Sequence, residues 1–390
     1  MKSIDRRYWA IGAALVLASV THGASVWAAM DCSTMFHGNP QHTGVCSTDV
    51  KDFKLLWKFH TDNMVRSTPA VVDDTVYAGS NDRHLYALDA KTGRPRWAFA
   101  TRGGVASSPL VSAGRVWFTD ATNSIYALNS GTGRLIWKLA TGRDLPVVGG
   151  WDFYQSSPTL ADGVLFIGSG DGRLYALRSS TGKQVWTFAT RGRVHTSPAV
   201  WGRYVVFGSM DGALYALDRN TGKLLWKYQT DTRPPYPMTG VFIGSPTIAA
   251  DIGLVFAGCR DGHLYAFDLA SGKLRWRLDE QSSWVVSTPA YEDGVVYTST
   301  SDTRLIEAVD ARTGKLLWQQ HTYGYVFPSP VVTHRAVYAA DWGTVIGEYS
   351  RKNGEVLAGN GSEGPFLSSP AIAHGVLFIG NDDGNVYAFE

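Results

Sequence analysis

A unit of about forty residues recurs along almost the whole chain, each copy holding short strand-forming runs opened by a proline. Together these predict an all-β, eight-bladed β-propeller of four-stranded antiparallel blades. The clearest copy contains Ala87-Leu-Asp-Ala-Lys-Thr-Gly-Arg-Pro-Arg-Trp97. It returns as Ala127…Thr132-Gly133…Trp137, Ala176…Thr181-Gly182…Trp186 and Ala216…Thr221-Gly222…Trp226. Further copies are Ala266…Ser271-Gly272…Trp276 and Ala308…Thr313-Gly314…Trp318.

Within one unit the strand-forming runs are Ser-Thr-Pro69-Ala-Val-Val, Thr-Val-Tyr77-Ala-Gly-Ser, His-Leu-Tyr86-Ala-Leu-Asp and Pro-Arg-Trp97-Ala-Phe-Ala-Thr. β-branched and aromatic residues dominate them. Turn formers separate them: Asp73-Asp74, Asn81-Asp82 and Lys91-Thr92-Gly93,. Other copies carry Asp171-Gly172, Asp211-Gly212 and Asp261-Gly262, the pair favoured in tight hairpins,. Such a unit is one blade, and a lone blade cannot bury both of its faces, so blades must stack around an axis. Trp57, Trp97, Trp137, Trp186, Trp226, Trp276 and Trp318 are expected to fill the space between adjacent blades. The glycine before each fourth run allows a backbone shape or close approach denied to other residues.

Pro69, Pro109, Pro158, Pro198, Pro246, Pro289, Pro330 and Pro370 open eight first strands. The last unit stops at Val386-Tyr-Ala-Phe-Glu390, the end of its third strand. A fourth strand stands at the other end of the repeats, Lys54-Leu-Leu-Trp57-Lys-Phe-His-Thr61. The terminal strands are therefore expected to share one blade and close the ring, which removes free sheet edges.

The Ala-x-Asp-x-x-Thr-Gly-Lys-x-x-Trp pattern resembles the pyrroloquinoline-quinone (PQQ) repeat of quinoprotein-type propellers, over roughly residues 54–390,. Met35-Phe-His-Gly-Asn-Pro-Gln-His-Thr-Gly44 is similar to the stretch that often precedes the first blade there. The resemblance implies that each Trp packs on the Ala of its own repeat and the Gly of a neighbour. The seventh unit departs from the pattern, with Glu348 for Ala, Asn353 for Thr and Ala358 for Trp.

Three segments are expected: a signal peptide over residues 1–28, a pre-propeller segment over 29–53 and the propeller over 54–390. Lys2, Arg6 and Arg7 precede the apolar run Trp9 to Val20, then Val26-Trp-Ala28, which reads as a secretory signal cleaved near Ala28,. The run is short for a membrane span. A periplasmic location follows as the expectation, with no transmembrane segment in the mature chain. Without residues 1–28 the chain holds 33 basic and 33 acidic residues, a balance that argues against nucleic acid as a partner,. Cys32 and Cys46 flank the pre-propeller segment and could pair in an oxidising compartment, leaving Cys259 as a half-buried thiol,.

Function is expected where the inter-blade connections and the turns between second and third strands emerge on one face. Two connections are long, Gly142 to Gln155 and Asp231 to Phe242,. The candidate rim residues, for a partner or a ligand, are Arg66, Arg143, Trp151, Tyr154, Arg193, His195, Tyr236, Arg260, Trp284, Tyr325 and Trp342. The family resemblance implies two functions. One is a non-catalytic scaffold resembling the propeller subunit of the outer-membrane β-barrel assembly machinery (BamB). It would bind an envelope protein or extended peptide segment and associate with the outer membrane through that partner. No cofactor is expected on this reading.

The alternative is a small dehydrogenase that uses PQQ with calcium to oxidise an alcohol or sugar. Arg66, Arg193 or Arg260 would serve the quinone carboxylates and Trp151, Trp284 or Trp342 would stack on it. Glu280 or Glu363, helped by Asp120, Asp144 or Asp341, would supply oxygen to calcium. The chain has neither an adjacent cysteine pair nor a Cys-x-x-Cys-His haem site. His37 and His42 read as surface residues, and no metal site is expected.

Overall fold

The computed structural model describes residues 33–146, 152, 155–230 and 240–390. The expected signal peptide, Cys32, Trp151, Tyr154 and Tyr236 lie outside them. The described residues form eight four-stranded antiparallel sheets, the blades of an eight-bladed propeller. Blade 1 runs outward from the axis as Ala70–Val72, Thr75–Ser80, His84–Asp89 and Pro95–Ala100. Blades 2 to 7 repeat this order with innermost strands Leu110–Ser112, Thr159–Ala161, Ala199–Trp201, Thr247–Ala249, Ala290–Glu292 and Val331–Val332. Blade 8 joins Ala371–Ala373, Val376–Gly380 and Asn385–Phe389 to Leu55–His60, so the first strand of the chain pairs with the last. Among the described residues no helix is long and apolar enough to cross a membrane.

The repeat motif has a physical reason at each position. In Asp-x-x-Thr-Gly the Asp89 carboxylate accepts from both the backbone N–H and the hydroxyl of Thr92, shaping the turn; Asp218 and Thr221, or Asp310 and Thr313, do the same. The glycine that follows adopts the left-handed conformation, φ +69° at Gly93 and +72° at Gly314. The tryptophan of the preceding blade lies on it: Trp57 on Gly93, Trp97 on Gly133, and so round to Trp318 on Gly354. Each indole Nε1–H also donates to a carbonyl of that neighbouring turn, from Trp57 to Ala90 O at 2.9 Å through Trp318 to Arg351 O at 3.0 Å. Within its own blade the tryptophan pairs with a small residue, as in Ala87 with Trp97.

Blade 7 breaks the pattern for a reason that lies in blade 8. A tryptophan there would rest on the turn between third and fourth strands of blade 8, and the chain ends replace that turn. Lys54 and Glu390 exchange backbone hydrogen bonds across the splice. Phe53 enters instead, its ring 5.7 Å from Tyr338 and 5.6 Å from Phe389, with Ala358 packed against the same cluster. Across the sheet from Ala358 stands Glu348, buried, accepting from Arg335 Nη2 at 2.6 Å and Tyr338 Oη at 3.1 Å. Volume lost at the tryptophan position is thus regained at the alanine position.

The segment before the first blade lies inside the ring. An innermost strand is a sheet edge facing the channel, and its inward N–H groups need acceptors. Carbonyls of Ser33, Thr34, Pro40, Gln41, Thr43 and Gly44 accept from Val71, Val111, Val200, Ile248, Tyr291 and Val332, in blades 1, 2, 4, 5, 6 and 7. His42 reaches blade 3 through Thr159, and Thr48 reaches the first turn of blade 8 at Gly375 N. His37 and His42 are therefore not surface residues. Both are buried, with positive φ, and the Phe36 ring packs on both. The turn needs glycine at position 44, where a Cβ would stand 2.6 Å from the His37 ring. Cys46 is disulfide-bonded, its expected partner Cys32 lying outside the described residues. Cys259 is a free thiol, fully rather than half buried, and burial pushes its pKa up.

Two measurements test these contacts. Gly163 and Gly314 share a left-handed backbone, but only Gly314 lies under a ring, with Trp276 2.7 Å from an added Cβ. Gly163→Ala should cost about 1 kcal/mol of unfolding free energy and Gly314→Ala about 3 kcal/mol, read from denaturant curves. Burial takes the pKa of His42 down from 6.5 to about 3. The unfolded state then binds more protons than the folded state in that window, so stability is present above about pH 6.5 and falls toward about pH 3. His42→Gln should be less stable at neutral pH and show a shallower acid loss.

Candidate functional site

The face that carries the inter-blade connections opens into a funnel around the axis, floored by Phe36 and holding about 610 Å³ of empty space. Its geometry comes from the repeat. The residue before each strand-opening proline is a serine or threonine: Thr68, Ser108, Ser157, Ser197, Ser245, Thr288, Ser329 and Ser369. Each hydroxyl from Ser108 to Ser369 accepts the backbone N–H of its counterpart in the preceding blade, at 2.8–3.2 Å. This belt holds the blades at one height around the axis.

Two residues earlier stand Arg66, Ala106, Gln155, His195, Ile243, Val286, Phe327 and Leu367; all but His195, which turns into the adjoining cavity, line the funnel. In chain order the first four include the three polar groups and the last four are all apolar. The funnel thus has a polar and an apolar sector.

In the polar sector Arg66 makes a two-pronged pair with Asp382, at 2.9 and 2.7 Å. Arg193 donates to Leu145 O at 2.6 Å and pairs with Asp152 at 3.0 Å and Asp144 at 3.2 Å. His195 Nδ1 lies 2.8 Å from the other Asp152 oxygen. Gln155 accepts the N–H groups of Ala106 and Ser107, each at 3.1 Å. Arg143 is exposed and joins none of these contacts.

In the apolar sector Phe327, Tyr325 and Trp342 form one cluster, with ring centroids 5.2 to 6.4 Å apart. The Arg304 guanidinium lies 5.0 Å over Tyr325. Tyr323 is 78% exposed and Tyr325 40% exposed. Two blades away, buried Arg260 of blade 5 stacks 4.4 Å over half-buried Trp284 of the connection into blade 6. Among the described candidates, Arg66, Arg193 and His195 stand in the polar sector and Tyr325 and Trp342 in the apolar one.

The groups named for calcium serve elsewhere. Asp120 accepts from Thr122, Ser124, Tyr126 and Gly103, and Asp341 from Gly324 and Val345. Glu363 is exposed beside Lys58, at 3.5 Å. Glu280 is buried against Glu307; burial first, and then the charge of Glu307, push its pKa up to about 9. Among the described residues no three His, Cys, Asp or Glu side chains are placed to hold a metal ion. A planar tricarboxylate needs cations whose charge is uncommitted, whereas Arg66 and Arg193 already face carboxylates. The described residues offer no ligand set for the calcium that would accompany PQQ, and of the arginines named for the quinone two are paired with carboxylates while Arg260 lies over Trp284.

The family described as outer membrane protein assembly factor BamB matches over residues 41–150, 150–360 and 306–390. No curated protein is significantly similar in sequence. Among solved structures the chain is similar to BamB from Moraxella catarrhalis, at TM-score 0.70 and 18% identity over 86% of this chain and 97% of that one. It is also similar to a europium-containing methanol dehydrogenase, at TM-score 0.76 and 15% identity over 91% and 97% of the two chains. The quinohemoprotein alcohol dehydrogenase from Comamonas testosteroni gives TM-score 0.75 and 15% identity over 92% and 80%. These likenesses concern the fold, which scaffold and enzyme share.

The Glu280–Glu307 pair gives the site a pH signature. Unfolded, Glu280 ionises near its ordinary 4.5; folded, it keeps its proton to about pH 9. The folded state binds more protons in between, so stability should fall as pH rises above the ordinary carboxyl range. Glu280→Gln should flatten the slope in denaturation curves measured from pH 5 to 9.

Proposed function

The chain belongs to the family of outer membrane protein assembly factor BamB, and from that membership we propose that it is a non-catalytic scaffold of the cell envelope. It is exported to the periplasm by the signal peptide, cleaved near Ala28, and holds an extended segment of an envelope protein across the mouth of its funnel. Any association with the outer membrane runs through that partner.

The observation that carries this reading is the aromatic cluster of Tyr325, Phe327 and Trp342, with Tyr323 exposed nearby in the same connection. Tyr325 is exposed and Phe327 and Trp342 are half-buried, and Phe327 continues into the apolar wall formed by Ile243, Val286 and Leu367. Tyrosine and tryptophan are the residues most enriched where interfaces concentrate their binding energy, because each brings a large rigid surface with a polar edge. The guanidinium groups of the polar sector are neutralised by carboxylates, which suits orientation of a partner better than capture of a small polyanion.

The test compares capture of envelope proteins by the wild type, by Tyr325→Ala/Trp342→Ala, and by Leu135→Ala on an exposed outer strand remote from the funnel. A partner held by the wild type and the outer-strand variant should bind the double variant at least about thirtyfold more weakly. Equal capture by all three would overturn the reading, as would tight, calcium-dependent binding of PQQ.

A further inference from the structure

Beside the funnel, where blades 2, 3 and 4 meet, lies a second cavity with about 600 Å³ of empty space. Its walls carry Asp120, Asp144, Asp152, Gln155, Arg193 and His195. One residue lets Asp144 enter its wall. The position that follows the second strand bears a side chain in seven blades, from Asn81 in the first to Asp382 in the eighth, and is Gly170 in blade 3. A Cβ there would stand 2.0 Å from Asp144 Oδ1 and 3.1 Å from His195 Nε2. The φ of Gly170 is not in the left-handed region, so the backbone does not call for glycine. The space does.

The cavity presents an unused acceptor. The His195 side chain is only 10% exposed, and Asp152 holds its Nδ1 at 2.8 Å as the donor. The lone pair of the neutral ring is then on Nε2, which faces the cavity beside Gly170 with no hydrogen-bond partner among the described residues. Three carboxylates line the walls against one guanidinium, so the cavity favours a cation,. A metal ion is a poor match. The Asp120 oxygens are filled by N–H and O–H donors, Asp152 is shared by His195 and Arg193, and no three ligating side chains converge among the described residues. What the walls can still supply is the lone pair of His195 Nε2 and the charge of Asp144, which is partly exposed although its oxygens also meet Asn123 and Arg193; the Thr141 and Ser169 hydroxyls are spent on each other.

We propose that this cavity binds a primary ammonium group, carried either by a lysine side chain of a bound polypeptide or by a free aliphatic amine. One N–H donates to His195 Nε2, and the charge faces Asp144. Charge-assisted hydrogen bonds of this kind are stronger than neutral ones, and burial at the cavity strengthens them further. The site stands apart from the aromatic sector and does not depend on what that sector holds.

The test titrates the mature protein with n-butylamine, Nα-acetyl-lysine amide and butyltrimethylammonium, following binding heat and the imidazole nitrogens by NMR. Both primary amines should bind and shift the His195 ring, and the trimethylated amine, which has the charge but no N–H, should bind at least about tenfold more weakly. Tighter binding of the lysine amide would indicate a polypeptide lysine as the ligand, and tighter binding of butylamine a free amine. Gly170→Ala, which displaces the Asp144 carboxylate, and His195→Gln should each weaken binding at least about tenfold in protein that is still folded by circular dichroism,. Tyr325→Ala/Trp342→Ala should leave it unchanged. Equal binding of the trimethylated amine, or unchanged affinity in a folded Gly170→Ala, would overturn the proposal. So would absence of binding by both primary amines.

Discussion

A four-stranded blade has two faces to cover, and the ring holds together through one contact that covers them. A tryptophan on the fourth strand lies flat on the left-handed glycine of the next blade's turn and donates its indole N–H to a carbonyl of the same turn. The other positions of the motif serve this contact. The aspartate and threonine cap the turn so that the glycine takes its shape, and the small residue opposite the tryptophan leaves the ring room to lie down. The contact repeats from Trp57 to Trp318, and because each copy joins two blades, no blade can be fitted without its neighbours,.

The closure of the ring is where this constraint and the linear chain conflict. Blade 8 is built from both ends, so the turn that should receive a tryptophan from blade 7 does not exist. Phe53, Glu348 and Ala358 are the solution: an aromatic from the incoming chain fills the gap, and a buried carboxylate held by Arg335 and Tyr338 restores the volume on the other strand. The segment before Phe53 then covers the inner edges of the blades. One continuous stretch, from Ser33 to Phe53, thus supplies both the channel floor and the seal of the last blade. Contacts such as Leu55 with Phe389 join residues from opposite ends of the chain, the kind of non-local pairing that slows folding,.

The blade count, the strand order and the splice of the two termini were legible in the sequence, because a repeat shows its geometry as many times as it occurs. The channel floor was not, because it occurs once. Its bonds join its own carbonyls to backbone N–H groups of separate strands, and side-chain pattern carries no trace of them. His37 and His42 accordingly looked like loop residues. The side chains of the funnel wall and His195 occupy one repeat position and could have been read by aligning the units there, which would have separated Ile243, Val286, Phe327 and Leu367 from Arg66, Gln155 and His195. The partners Asp382 and Asp152 gave no such signal, since pairing across blades depends on how far each loop reaches. Trp151, Tyr154 and Tyr236 fall outside the described residues, and their part in the site rests on the sequence alone.

The division of the funnel wall bears on what such a ring can do. An eightfold frame offers equivalent positions around one axis, and chemistry enters only through what differs among them. Catalysis on a bound cofactor requires charges that converge on one point and stay uncommitted until the ligand arrives. In this chain the difference between blades instead separates polar from apolar. Arg66 and Arg193 are already matched to carboxylates, and Tyr323 and Tyr325 are left exposed. A surface of that kind recognises length and sequence in a partner, because an extended segment crossing the mouth meets apolar groups on one side and hydrogen-bonding groups on the other. On the scaffold reading proposed above, the ring serves as a binding surface with no change to the blades themselves.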